Sequence, residues 1–308
     1  GAGAEAVAMR DAGIRAPILI FGSFLPRDVP HLLAYDLIPT VYNMEAAEAV
    51  SRAARTPSPV YVKVDCGLGR LGVALDDAAG FMRQIASLAN VKIAGLYTHI
   101  PFFDDASRAR TEARLPGFEA LADSLARGGS GPLVTQALAS SAVLVGLKDR
   151  CNAVCVGHIL YGLSSMAPGQ ADMSAFRPVL REIGSHLIHV AHHPAGRDLA
   201  IGGHYGIANA MVTGVLPVGA QHGLRNAAPG QVAEVLIRGR RAKVMSVTLE
   251  HTTLDLTGVD SPRLGEEVLL LGGDGPARIG LEDVAAWQGR PPLEVSMTFS
   301  KRLPAREI

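Results

Sequence analysis

Residues 60–73 read Val-Tyr-Val-Lys-Val-Asp-Cys-Gly-Leu-Gly-Arg-Leu-Gly-Val, and this stretch decides how the first half of the chain is interpreted. Its alternating valines are typical of a buried β-strand, and the strand runs into a turn with three glycines. Lys63, Asp65 and Arg70 lie along this strand and turn. Glycine lets a backbone approach a flat ligand closely, and an arginine at the turn can donate hydrogen bonds to an oxyanion. The stretch therefore predicts a ligand site at the end of a strand.

The composition is that of a globular chain. It has 308 residues, 29 acidic and 29 basic side chains and 48% hydrophobic residues, which is enough to bury a sizeable core. The balanced charge gives no electrostatic reason to expect nucleic acid or a membrane as a partner, and no apolar run has transmembrane length. Cys66, Cys151 and Cys155 are too few for a disulfide framework, so we predict a cytoplasmic location.

Strands and helices alternate through the first half of the sequence. We predict strands at 17–22, 38–42, 59–65, 91–98, 133–138 and 153–156, and helices at 4–12, 31–35, 44–54, 76–88, 106–127 and 140–147. This alternation is typical of a parallel sheet with right-handed crossovers. After about residue 176, short alternating strands separated by Gly, Pro and Asn predict an all-β domain. We therefore predict two domains, 1–170 and 171–308.

Four further segments carry the same kind of signal. They are Gly95-Leu-Tyr-Thr-His99, Ala139-Ser-Ser-Ala142, Val156-Gly-His-Ile-Leu-Tyr-Gly162 and Val244-Met-Ser-Val-Thr-Leu-Glu-His-Thr-Thr-Leu-Asp-Leu-Thr257. Together with 60–73, and in the same order, they resemble the alanine racemases, which are fold-type III enzymes that use pyridoxal 5′-phosphate (PLP). The resemblance covers nearly the whole chain. It implies an α/β fold, a (β/α)8 TIM-type barrel followed by an all-β C-terminal domain.

The number of strands bears on where the chain begins. A closed (β/α)8 barrel has eight strands, whereas the sequence shows six in the barrel half. Two βα units, or roughly 60 residues, are therefore expected before Gly1, and the chain reads as an N-terminally truncated fragment. In the family the first strand ends in the lysine that forms the Schiff base with PLP, so that lysine is expected not to be in this chain.

The resemblance implies roles for three residues near the cofactor ring. Lys63 matches a family lysine that is often carbamylated, and Arg70 matches the arginine that this modified lysine orients towards the phenolic oxygen of PLP. A guanidinium stabilises such an anion, and a carbamate would accept its hydrogen bonds. His99 matches the histidine that packs against the pyridine ring.

The resemblance also implies a phosphate site. Ser141 and the backbone amides of Gly157 and His158 match the phosphate cup of the family, and His158 and Lys301 would add positive charge. Hydroxyl groups and free amides at strand-to-helix turns commonly bind phosphate. Such positions also serve as helix caps and turn glycines, and the two roles are compatible.

Several positions depart from the family pattern. The second acid/base of the racemases is a tyrosine in a Gly-Tyr-Ala-Asp-Gly stretch, and the matching residue here is Ala220, which cannot transfer a proton. His222 is a candidate substitute. The arginine at the pyridine nitrogen is replaced by Cys155, and Leu249 and Glu250 replace a Met-Asp pair in the substrate pocket. These changes predict altered chemistry at the α-carbon.

The sequence thus favours a PLP-dependent amino-acid racemase, an isomerase that exchanges the α-proton of a small amino acid. Two alternatives stay open, which are a PLP enzyme of another reaction type and a noncatalytic paralogue. The resemblance implies a homodimer with shared active sites. No metal is predicted, because the histidines at 186, 189, 192 and 193 have no carboxylate or cysteine at ligand spacing.

Overall fold

The computed structural model describes residues 3–22, 24–127, 133–201, 204–299 and 303–304, except for the side chains of His204 and Tyr205. The chain divides into two compact units. The first comprises Gly1–Leu160 and Ser164–Ala175, and the second comprises Tyr161–Leu163 and Phe176–Ile308. The domain boundary placed after residue 170 stays a prediction. Lys301, which was expected to add charge at the phosphate site, lies outside the described residues.

Strands and helices alternate along the first unit. Its strands are β1 (Ile18–Ile20), β2 (Leu37–Val41), β3 (Ser58–Asp65), β4 (Val73–Ala74), β5 (Val91–Tyr97), β6 (Val134–Ala139) and β7 (Ala153–Cys155). Its helices are α1 (Gly3–Asp11), α2 (Val29–Ala34), α3 (Met44–Ala53), α4 (Leu75–Ala86), α5 (Asp105–Arg127) and α6 (Ser140–Leu144). The predicted strands and helices are confirmed, with ends that differ by a few residues, and the short strand β4 is additional.

The strands of the first unit form one parallel sheet in the order β1-β2-β3-β5-β6-β7, and β4 pairs with β3. Strand β3 lies between β2 and β5, and its valines Val60, Val62 and Val64 are fully buried. Gly95 of β5 accommodates the ring of Tyr61, since a Cβ at that position would lie 2.3 Å from a ring carbon. Because all the strands run in the same direction, their carboxyl ends lie along one edge of the sheet, where sites gather in such folds.

The helices bury their apolar faces against this sheet. In α4 the buried residues are Ala78, Met82 and Ile85, whose spacing of four and three places them on one face. Helix α3 begins at a cap in which Asn43 accepts the amide hydrogen of Ala46 at 2.8 Å. These faces and the strand valines make one continuous core.

A glycine-rich turn joins β3 to β4. Gly67, Gly69 and Gly72 have φ values of +102°, +73° and +130°, which residues with side chains rarely adopt. A Cβ at Gly72 would lie 2.5 Å from the backbone nitrogen of Asp65, whereas a Cβ at Gly69 would meet nothing within 4 Å. The turn brings β4 alongside the end of β3, with Val73 paired to Val64.

The second unit is built on antiparallel strands. They are β8 (Ile183–His186), β9 (His189–His193), β10 (Asp198–Ala200), β11 (His204–Gly206), β12 (Met211–Leu216), β13 (Glu234–Ile237), β14 (Arg240–Val247), β15 (Thr252–Asp255) and β16 (Glu267–Leu271). Seven of them form a sheet in the order β8-β16-β13-β14-β15-β12-β9, while β10 and β11 pair separately. The β domain predicted after about residue 176 is confirmed.

Two helices complete the second unit, α7 (Leu281–Gln288) and α8 (Pro292–Phe299), and the sequence interpretation did not include them. The buried residues Leu281, Val284 and Ala285 of α7 follow helical spacing and join the core formed by the strands. The helical spacing here is short and follows a long series of strands, so the sequence interpretation extended the strand pattern over this segment as well. Among the described residues of both units, no helix combines the length and the apolar character needed to cross a membrane.

The turn between β3 and β4 gives a stability prediction with a matched control. We expect Gly69→Ala to lower the free energy of unfolding by about 1 kcal/mol through its backbone conformation alone. We expect Gly72→Ala to lower it by about 3 kcal/mol, because the new methyl group also collides with the backbone of Asp65. Urea unfolding followed by circular dichroism measures both. Equal losses in the two variants would contradict the close approach at Gly72.

Candidate active site

The carboxyl ends of neighbouring strands bring most of the predicted site residues together. Lys63 lies near the end of β3, His99 follows β5, and Cys155 ends β7. Ser141 lies in the first turn of α6, directly after β6, and Arg70 lies in the turn that follows β3. The charges of Lys63 and Arg70 act on His99, and that of Lys63 also acts on Cys155. The first unit therefore gathers these residues at one edge of its sheet.

Lys63 is a buried amine. Its side chain is 6% exposed, and its Nζ lies 4.6 Å from the centroid of the Tyr97 ring. Burial lowers the pKa of Lys63 to about 8, and the nearby Arg70 guanidinium acts in the same direction. Within the described part of the chain, no carboxylate forms an ion pair with it. An appreciable fraction of the amine is therefore uncharged and nucleophilic near pH 8.

Tyr97 is a site residue to which the sequence interpretation gave no role. Its hydroxyl lies 3.1 Å from Thr40 Oγ1, and its ring centroid is 5.2 Å from that of Phe21. Burial raises the pKa of Tyr97 to about 12, so the phenol stays neutral. The available signal was its position two residues before His99, because alternate residues of a strand share a face.

His99 is held in its neutral form. Burial and, to a smaller extent, the positive charges of Lys63, Arg70 and His158 together lower the pKa of His99 to about 4. A neutral imidazole presents a flat and weakly polar face, which suits contact with an aromatic ring. The predicted role of His99 as a residue that packs against the cofactor ring thus has a compatible charge state.

Arg70 supplies positive charge and has no carboxylate ion-pair partner among the described residues. Its side chain is exposed, and no ion pair joins it to a residue in the described ranges. Asp65, the nearest acidic residue in sequence, accepts hydrogen bonds from the backbone of the turn instead. The guanidinium is thus available to an anionic ligand.

The predicted phosphate site contains two buried hydroxyl groups, those of Ser140 and Ser141, which are 2% and 1% exposed. Ser140 Oγ accepts the amide hydrogen of Gly157 at 2.9 Å, so this amide, predicted to bind phosphate directly, is joined to Ser140 in the structure. Space lies open over Gly157, where a Cβ would meet nothing within 4 Å. His158 begins a short 3-10 helix, and burial lowers its pKa. Ser140 is the residue that the prediction missed.

Cys155, predicted to stand at the position of a family arginine, provides a neutral group. Burial raises the pKa of the Cys155 thiol, while a hydrogen bond with the side chain of Gln136 and the charge of Lys63 oppose this effect. The thiol is thus protonated at neutral pH. Gln136, on the neighbouring strand β6, was not predicted to belong to the site, since its side-chain direction depends on the strand pairing.

The second unit brings its own four candidate residues together. Ala220 and His222 lie in one 3-10 turn, and Leu249 and Glu250 lie in the loop between β14 and β15. The amide of Ala220 donates to the carbonyl of Thr248 at 2.8 Å, and the next amide along the turn donates to the carbonyl of Leu249 at 3.0 Å. The two loops therefore form one structure, on which Leu249 is 67% exposed.

His222 has one ring nitrogen engaged. The amide of Gly219 donates a hydrogen bond to His222 Nδ1 at 3.1 Å, so Nδ1 must be unprotonated. In the neutral ring the proton then lies on Nε2, which is a hydrogen-bond donor. His222 can accept a proton only at the nitrogen that Gly219 occupies.

The donor set of the first unit fits PLP. Two buried hydroxyls and the open space over Gly157 suit a phosphate group, and Arg70, which has no ion-pair partner among the described residues, supplies positive charge for an anionic ring substituent. The neutral ring of His99 suits a flat heterocycle. Cys155 carries no positive charge, but its protonated thiol does not oppose binding.

Family models match both units of the chain. The N-terminal domain of alanine racemase matches residues 3–165, and the C-terminal domain of alanine racemase matches residues 181–307. An alanine racemase from Halothermothrix orenii is 31% identical over 97% of this chain and 79% of its own length. One from Desulfovibrio desulfuricans is 32% identical over 97% of this chain and 80% of its own length.

Solved structures agree with these matches. The crystal structure of alanine racemase from E. faecalis is similar to this chain with a TM-score of 0.87 and 29% sequence identity. The similarity covers 99% of this chain and 81% of that one. The predicted fold, a TIM-type barrel domain with a parallel sheet followed by an antiparallel β domain, is thereby confirmed. The chain belongs to the alanine racemase family.

Proposed function

We propose that this chain belongs to a PLP-dependent racemase that interconverts L- and D-alanine by exchange of the α-proton, and that the lysine which forms the Schiff base is not among the residues of this sequence. The observation that carries the proposal is the cluster at the strand ends of the buried Lys63 amine, neutral His99 and Arg70, whose guanidinium has no ion-pair partner among the described residues. This cluster occurs in a chain that matches alanine racemases along its length. Another reaction type and a noncatalytic role are not favoured by those matches.

The residues of the first unit divide the work of binding. PLP, when bound, supplies an electron sink that makes the α-proton of an amino acid acidic. Ser141 and His158 hold its phosphate, with Ser140 and the open space over Gly157 shaping that end of the site. Arg70 donates to the phenolic oxygen. His99 packs against the ring plane in its neutral form.

Lys63 serves the site as a carbamate. Its ammonium group first loses one proton. The neutral amine then attacks carbon dioxide, and the N–C bond forms as one C=O π bond opens and a second proton leaves, so that a buried cation becomes an anion. Arg70 lies close enough for its charge to lower the pKa of Lys63, so the same proximity favours the anionic carbamate. The modified lysine then accepts hydrogen bonds from Arg70 and orients it.

Exchange of the α-proton on the second face of the substrate's α-carbon has no phenol to carry it, because Ala220 stands at the position predicted for the tyrosine. His222 is the titratable side chain of that turn. A proton transferred to its ring must be accepted at Nδ1, which requires release of the Gly219 amide. We infer that His222 transfers protons slowly. Leu249 and Glu250, joined to this turn by backbone hydrogen bonds, belong to the substrate pocket.

Cys155 changes the electrostatics at the pyridine nitrogen. An arginine there would disfavour protonation of the ring nitrogen through its fixed charge, whereas a protonated thiol exerts no such charge. The side chain of Gln136 holds the thiol in place. Reaction choice in this chain is therefore less restricted at this position than in relatives with arginine.

We also propose a homodimer with shared active sites, because the resemblance to the alanine racemases implies one. A cytoplasmic location is supported by the three cysteines, all of which are unpaired thiols. Both proposals are accessible to direct measurement, by analytical ultracentrifugation and by cell fractionation.

A pair of substitutions at position 220 tests the function. Full-length protein with PLP and L-alanine should form D-alanine, measured by chiral chromatography, with uptake of deuterium at the α-carbon in D2O. We expect Ala220→Tyr to raise the rate of inversion by about 100-fold, since a positioned proton donor contributes at least that much. Ala220→Phe has nearly the same size but no hydroxyl, and should give no such increase.

The two controls separate the possible failures. Absence of D-alanine in wild type and in Ala220→Tyr, with PLP bound to both, would contradict the racemase proposal. Equal rates for the Tyr and Phe variants would contradict the assignment of position 220 as the missing proton donor.

The carbamate at Lys63 gives a pH-dependent prediction. Because the pKa of Lys63 is lowered to about 8, its reactive neutral form increases as the pH rises through 8. In 13C-bicarbonate we expect a carbamate carbon resonance that grows from pH 7 to pH 9 and is absent in Lys63→Gln. Lys92→Gln, at an exposed position of β5, should keep the resonance. Loss of the signal in both variants, or in neither, would contradict the assignment.

A further inference from the structure

The position of Arg70 depends on the turn that carries it. Its guanidinium is exposed and has no ion pair with any residue that the structure describes, so its own contacts do not fix it. A long and unpaired arginine side chain has many rotamers, and ordering it on a ligand costs free energy. Any group that fixes the backbone beneath Arg70 reduces that cost.

One side of the turn is held by Asp65, the last residue of β3. Its Oδ1 accepts the amide hydrogens of Gly67 at 2.8 Å and Leu68 at 2.7 Å, and its Oδ2 accepts that of Gly69 at 2.9 Å. Three consecutive amides thus converge on one carboxylate, and hydrogen bonds to a charged acceptor are the stronger kind. The last of these amides belongs to the residue directly before Arg70.

The other side of the same turn is held by Arg114 of α5. Its Nη1 donates to the carbonyl oxygen of Gly67 at 3.3 Å. The guanidinium also lies directly over this glycine, since a Cβ on Gly67 would be 2.8 Å from Arg114 Cζ. Gly67 is therefore held through its amide by Asp65 and through its carbonyl by Arg114, and a side chain there would displace Arg114.

We propose that Asp65 and Arg114 are positioning residues for Arg70, which fix the 66–72 turn so that the guanidinium meets the cofactor's anionic oxygen. This inference rests on the proposed function, because it needs Arg70 to bind PLP. Asp65 is part of the sequence motif but had no role assigned to it, and the exposed Arg114 lies outside that motif. The inference gives both residues a role.

A double-mutant cycle tests the inference. PLP affinity would be measured by equilibrium dialysis on the full-length protein, as wild type, Arg70→Ala, Asp65→Asn and the double variant. We expect Asp65→Asn to weaken binding roughly tenfold in the wild-type background, because a charged acceptor of three amides is lost. In the Arg70→Ala background we expect no further loss, since Asp65 acts through Arg70.

Two further measurements keep the test decisive. Amide hydrogen exchange at 67–69 should accelerate in Asp65→Asn without any cofactor present, which reports on the turn itself. If Asp65→Asn does not fold, the same cycle with Arg114→Ala replaces it, with an expected loss of about threefold for one surface hydrogen bond. Asp172→Asn, which removes an exposed carboxylate that accepts the amide hydrogen of Ser174, is the matched control and should leave PLP affinity unchanged.

The outcomes distinguish a wrong cofactor-binding role for Arg70 from a wrong positioning role for Asp65. If Arg70→Ala leaves PLP affinity unchanged while exchange at 67–69 still accelerates in Asp65→Asn, the proposed role of Arg70 is wrong, and the inference falls with it. If Arg70→Ala weakens binding and Asp65→Asn causes the same loss in both backgrounds, Arg70 binds the cofactor but Asp65 does not act through it. That second result overturns the positioning inference alone.

Discussion

Parallel pairing of β3 with β2 on one side and β5 on the other is the constraint on which the first unit depends. A strand hydrogen-bonded on both edges, fully buried on one face and partly buried on the other has no freedom to shift its register, because a shift by one residue would exchange the faces of every side chain. Its end is therefore a fixed point. Lys63 and the turn that carries Arg70 both take their positions from that end, and the neighbouring strands place His99, Ser141 and Cys155 along the same edge.

The charge pattern at this edge differs from that of an ordinary buried cluster. Buried cations are normally paired with carboxylates, because an unpaired buried charge is unfavourable. Here burial lowers the pKa of Lys63 to about 8, and the described residues offer no ion-pair partner to it or to Arg70. The charge of Asp65 raises the pKa of Lys63 somewhat, but its carboxylate oxygens accept hydrogen bonds from backbone amides and form no ion pair with Lys63 or Arg70. The protein thus accepts a local electrostatic penalty that an anionic ligand would relieve, which is the pattern expected of a binding site.

The sequence was sufficient for the parts of the fold that local patterns determine. The buried valines of β3 and the helical spacing of α4 follow directly from apolar periodicity, and both elements were predicted. The hydrogen bond from the Gly157 amide to Ser140 could not be predicted, because it joins residues 17 positions apart across two loops. The role of Gln136 beside Cys155 was hidden for a similar reason, since it depends on how β6 and β7 are paired. The local sequence pattern predicts where the site lies, whereas contacts between distant segments determine which of its polar atoms remain available to a ligand.

The residues Cys155 and Ala220, predicted to depart from the family pattern, are expected to change the chemistry more than the stability of the fold. A guanidinium beneath a cofactor ring must be desolvated, and replacing a buried charge by a neutral group of lower polarity is often neutral or stabilising. Cys155 is therefore easily tolerated by the fold, as is Ala220, whose turn is held by backbone hydrogen bonds to Thr248 and not by its side chain. Lys63, Arg70, His99 and Ser141 are proposed to bind and orient the cofactor, whereas positions 155 and 220 are proposed to set the protonation of the ring nitrogen and the movement of the α-proton. In this proposal, cofactor binding and reaction choice depend on separate residues of the fold.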